Sequence, residues 1–131
     1  MRDFIRLGIM FNIIDSSQAR KVDLIPVTMK PGYRFALTNR IRREIFIDAD
    51  AALLAWFAKP EDVIVGKLMA WQEGHSFKHQ ADIRDILTAV QLGDDVELSA
   101  SFDSLYIDRW AARLGREVEQ FWQMLQESVN R

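Results

Sequence analysis

Cysteine is absent from the 131 residues, which excludes disulfides, thiolate nucleophiles and every cysteine-ligated zinc site. Proline occurs three times and glycine six times, so breakers punctuate the chain and no flexible linker or low-complexity tract is visible. Neither charge sign prevails: 17 Lys and Arg stand against 19 Asp and Glu, a formal net charge of −2. That balance removes any global argument for nonspecific attraction to nucleic acid or to a membrane surface. No apolar run approaches the roughly 20 residues that span a bilayer, and the opening Met-Arg-Asp-Phe-Ile-Arg lacks the apolar core of a secretory leader. The cytoplasm is the expected compartment, with no membrane partner. Phosphate-cradling loops, dinucleotide fingerprints, nucleophile elbows and the paired-histidine zinc helix are missing as well.

What remains is ordinary globular material. With 49% hydrophobic and 27% charged residues, the chain has the composition of one domain able to bury a core. A single domain over residues 1–131 is expected, strands dominating 1–58 and helices 59–131. Gly8 to Ile14 is β-compatible, Asp15 to Gln18 has turn chemistry, and Arg20 to Val27 returns as the second strand of a hairpin. Tyr33 to Arg43 suits a short helix. Glu44 to Ile47 and Leu53 to Phe57 read as two further strands around Asp48-Ala49-Asp50.

The second half carries helix punctuation. Pro60 fits a first helical position, and Glu61 and Asp62 suit the positive end of the helix dipole. Gly74 ends that helix. The next, Phe77 to Leu92, presents Ile83, Ile86, Leu87 and Val90 on one face and closes at Gly93. Asp94-Asp95 begins a loop. Asp103 caps a helix that stops at Gly115, and Val118, Phe121, Trp122 and Leu125 give the last helix its apolar side. The expectation is an α+β fold, a small mixed or antiparallel sheet with about four helices.

Three ionisable residues sit in apolar settings. Asp23 lies in a run with apolar residues on both strand faces, which implies a covered strand and a carboxylate that is paired, hydrogen-bonded or metal-bound. From the residue pattern alone, the plainer account is an edge strand reaching solvent, or an ion pair with Lys21 or a distant arginine. Lys67 falls beside Ile64, Leu68 and Trp71 on a helical stripe. It either holds a point charge towards a phosphate or snorkels to water. Asp82 stands at the margin of the next helix's apolar face, as a boundary residue or a helix-to-helix partner. His75 and His79 have chelating spacing but no third ligand nearby. Arg34, Arg40, Arg42 and Arg43 form a basic cluster, fit for phosphate or for a solvated helix face. Trp56, Trp71, Trp110 and Trp122 read as core or interface aromatics.

In their order, Lys21-Val22-Asp23-Leu24-Ile25-Pro26 and the segment from Pro60 to Leu87 resemble the back half of small nucleotidyltransferases of the DNA polymerase β-like superfamily. The likeness is to those related to abortive-infection and toxin–antitoxin systems, and it runs from about Phe11 to Gly115. The resemblance implies that Asp23 stands in the place of a third metal-binding carboxylate, and that Lys67 in Val65-Gly66-Lys67-Leu68 and Asp82 are site residues, the aspartate orienting the lysine or contacting substrate. The basic residue of that element falls nearest Lys78 or His79. It implies magnesium and a nucleoside triphosphate as cofactors of a completed site, and transfer of a nucleotidyl group to RNA or protein hydroxyls. The family's opening Gly-Ser followed by Asp-x-Asp does not occur among the 131 residues. One strand carboxylate cannot hold two metals alone. The chain is therefore expected to resemble a nucleotidyltransferase truncated before its first strand and helix, inactive by itself. A homo-oligomer or a protein partner is expected over the exposed sheet, with nucleotide or RNA as further partners. The alternative is a non-catalytic module that binds protein or nucleotide.

Overall fold

The computed structural model describes residues 11–25 and 32–130. Contacts divide the chain into two compact units, Met1–Thr38 and Asn39–Arg131. The described residues form an α+β structure of six helices and two antiparallel two-stranded sheets.

In the first unit, β1 (Phe11–Asp15) pairs with β2 (Arg20–Leu24), and Asn12 lies opposite Asp23. The turn between them is held by Asp15, whose Oδ1 accepts from the Ser17 amide at 2.9 Å and the Ser17 hydroxyl at 2.6 Å. Those bonds hold the Asp15 carboxyl below the usual carboxylate range. Helix α1 (Gly32–Asn39) follows. It ends before Arg43, where a helix was expected to run, because the chain from Ile41 onward is strand.

The second unit opens with β3 (Ile41–Asp48) and β4 (Ala51–Phe57), antiparallel, with a register shift between Phe46 and Asp48. Five helices follow: α2 (Pro60–Gly74), α3 (Phe77–Leu92), α4 (Val96–Ser101), α5 (Ser104–Leu114) and α6 (Arg116–Val129). The core is wholly helical. Ile64, Val65 and Leu68 of α2 meet Ile83 of α3, Ile107 and Ala111 of α5, and Val118, Phe121, Trp122 and Leu125 of α6, all buried. Trp71 stacks on Phe121 at 3.7 Å between ring centroids, with the two rings nearly parallel. The Trp122 indole is buried with its N–H donating to Asp108 at 2.6 Å, so the polar edge of a large ring is satisfied inside.

The helix signals hold. Pro60 opens α2, Gly93 closes α3 with φ 71°, and Asp103 caps α5 by accepting from the Tyr106 amide. One expectation needs correction. The helix count exceeds four, because Asp94-Asp95 does not lead into a loop: Asp95 accepts from the Leu98 amide at 2.9 Å and caps α4. Gly74 is the last residue of α2, as expected, and His75 after it caps the helix in the left-handed region, with φ 51°.

Candidate functional site

Helices α2 and α3 pack together and are joined by His75 and Ser76 alone. That short connection brings the middle of α2 against the first turns of α3. Lys67 Nζ donates to Asp82 Oδ2 at 2.5 Å, with the two side chains 27% and 31% exposed. Two of the three residues singled out in the sequence are thus in direct contact, and the aspartate fixes the lysine's direction. The pair is neither dry nor free in solvent, so water and small solutes reach it.

More positive charge gathers there than the pair alone supplies. The Lys67 hydrogen bond holds the Asp82 carboxyl below its ordinary range; desolvation opposes this, and the charges of Lys67, Lys78 and His79 reinforce it. Lys78 and His79 precede Asp82 by four and three residues on α3, the spacing that sets side chains side by side on a helix. His79 Nδ1 is buried with no hydrogen-bond partner among the described residues. One carboxylate therefore holds an ammonium from α2 and has two basic residues within one turn of it on α3. Such an arrangement suits an anion.

Asp23 has a different setting. All of β2 is exposed, and the Asp23 carboxylate takes Lys21 Nζ at 3.1 Å with side-chain exposures of 48% and 54%. The covered strand expected from its apolar neighbours is corrected: a two-stranded hairpin leaves both faces open, and Val22 is 56% exposed. Asn12, not an acid, stands across from Asp23. Among the described residues no three His, Asp or Glu side chains converge as a metal site. These residues do not fit the paired magnesium ions that the resemblance implies.

The histidines separate. His75 bonds Glu117 at 2.9 Å and meets the edge of Trp71, while His79 lies within α3. The left-handed turn at His75 takes it off any helical face shared with His79, which ends the chelate reading. The arginines divide too. Arg40 and Arg42 lie over the Trp56 ring at 4.6 and 5.8 Å, and Arg43 bonds Glu97 at 2.6 Å.

A second polar cluster was not foreseen. Glu61 and Asp62, read as partners of the helix dipole, are also buried, at 7% and 3% exposure. Glu61 accepts from the Asp103 amide at 2.8 Å, and Asp62 Oδ1 accepts from the Tyr106 hydroxyl at 2.7 Å and from the Asn39 amide at 3.5 Å. Burial, and then the bond to Asp62, push the Tyr106 phenol up to about 12. The cluster pins the start of α2 to the start of α5. Its sequence signal was two adjacent acids one turn from a buried apolar run, but their partners lie 42 and 44 residues away.

A groove of about 760 Å³ runs beside the β3–β4 hairpin, with Ile45, Phe57, Val63, Ile86, Val90 and Leu98 among its walls. Comparison with protein-family models, with curated proteins and with solved structures yields no match.

Proposed function

We propose that this chain is a nucleotidyltransferase-like module that binds a nucleotide through its phosphates at Lys67 and does not catalyse transfer by itself. The observation that carries the reading is the cationic cluster: Lys67 is oriented by Asp82 at 2.5 Å, and Lys78 and His79 act on the same carboxylate. Lys67 uses one of its three N–H donors on Asp82, which leaves others for phosphate oxygens. His79 and Lys78, one turn before Asp82 on α3, add basic character beside it. Lysine serves phosphate as a point charge, without a fixed fork, so a partly exposed ammonium on a rigid helix is adequate.

Catalysis is assigned elsewhere because Asp23, the residue in the place of a metal-binding carboxylate, is tied to Lys21 and has no acidic company among the described residues. Purified chain with magnesium, labelled nucleoside triphosphate and bulk RNA or protein should transfer no label. Labelling that is robust in the wild type and lost in Asp23→Asn would contradict this half of the proposal.

A further inference from the structure

The β4 strand reads Ala51-Ala52-Leu53-Leu54-Ala55-Trp56-Phe57, without charge or proline, and among the described residues it pairs with β3 alone. Its free edge lacks every device that normally blunts an edge strand. The free edge of β3 differs. It carries Arg42, Arg43, Glu44 and Asp48, and its register is broken between Phe46 and Asp48. Bulges and charges of that kind discourage pairing. The apolar side chains of β4 also remain exposed: Leu53 at 48%, Leu54 at 51% and Trp56 at 57%. A lone two-stranded hairpin is marginal in water.

We infer that β4 pairs antiparallel with β4 of a second copy of this chain, about a two-fold axis at Leu54, to make a four-stranded sheet. The strand is self-complementary in that register. Ala51 falls opposite the second copy's Phe57, Ala52 opposite its Trp56, Leu53 opposite its Ala55, and Leu54 opposite Leu54. Each large side chain but the central one meets a small one, and no charges meet. Centring the axis on Ala55 instead would set Leu54 against Trp56 and Leu53 against Phe57, crowding large against large. A two-fold contact of this type closes on itself, so it ends at a dimer. The inference stands apart from the phosphate reading, since Lys67 lies on α2 and outside this strand.

The lack of native cysteine makes trapping clean. Directly opposed strand residues have β-carbons about 4.5–5.5 Å apart, close to what a disulfide spans. Leu54→Cys should therefore form a covalent dimer on mild oxidation. Phe46→Cys, more exposed at 76% but on β3, should form little. Light scattering should show a wild-type dimer, and Leu54→Lys should shift it to monomer. In that variant two lysines face each other across the axis, while each gains Glu44 of its own hairpin as a cross-strand partner, so folding is spared. Circular dichroism of Leu54→Lys should show the wild-type helix content, and its melting should not depend on concentration. A wild-type chain that stays monomeric at high concentration, or equal cross-linking at positions 54 and 46, would overturn the pairing. Lys67→Met should leave the dimer intact.

Discussion

The Tyr106 hydroxyl donates to Asp62 Oδ1 at 2.7 Å, joining residues 44 apart in sequence and fixing the start of α2 to α5. Asp62 is 3% exposed and its Oδ2 has no partner among the described residues. Removing the phenol would leave the carboxylate with only the longer Asn39 bond. Tyr106→Phe should therefore cost about 1–3 kcal/mol, the penalty of leaving a buried polar group under-satisfied. Urea unfolding should show a lower midpoint with an unchanged slope.

Alkaline pH acts on the same contact. The Tyr106 phenol is pushed from its ordinary 10.0 up to about 12. A group whose folded pKa is raised contributes stability that is fully present below the unfolded value and is lost as pH climbs through the folded value. Wild-type stability should fall between those two values, and Tyr106→Phe should fall less. Absorbance of the phenolate should show Tyr106 ionising above the ordinary phenol range.

Acid tests the Lys67–Asp82 pair. The Asp82 carboxyl is held down chiefly by its hydrogen bond from Lys67. Its contribution is present above the unfolded value of 3.8 and disappears as pH falls through the lower folded one. Lys67→Met should remove that component of acid sensitivity. With both side chains partly exposed, its cost at neutral pH should be at most about 1 kcal/mol.

Two glycines should respond oppositely. Gly93 has φ 71°, where an added β-carbon is strained whatever the space around it, so Gly93→Ala should cost on the order of 1–2 kcal/mol. Gly74 lies in the last turn of α2 with nothing within 4 Å of a built β-carbon. Gly74→Ala should stabilise by up to about 1 kcal/mol. Thermal melting of the two variants checks both signs.

The helical half was legible because its signals are local. Pro60, Gly93 and Asp103 act within one turn, and the spacing of Val118, Phe121, Trp122 and Leu125 reports one face of one helix; all four are buried. Asp23 misled because a β-branched run looks the same in a covered strand and in an open hairpin. Sheet neighbours, which sequence spacing does not report, decide between them. Asp95 was missed because a cap followed by only six helical residues resembles a turn. Glu61 and Asp62 do stand in the first turn of α2, but their hydrogen-bond partners were not legible because Asp103, Tyr106 and Asn39 lie far along the chain. For the site, spacing marked Lys67 and Asp82 separately, and the two-residue connection between α2 and α3 brought them together.

The central claim is that Lys67 receives phosphate, and calorimetric titration with ATP and with inorganic triphosphate tests it most directly. Wild-type chain should bind both saturably, more weakly as salt rises. Lys67→Met should bind at least about tenfold more weakly, the loss of one charge-assisted contact, with its circular dichroism unchanged. Equal affinity in the wild type and Lys67→Met, or no binding by the wild type at low salt, would contradict it.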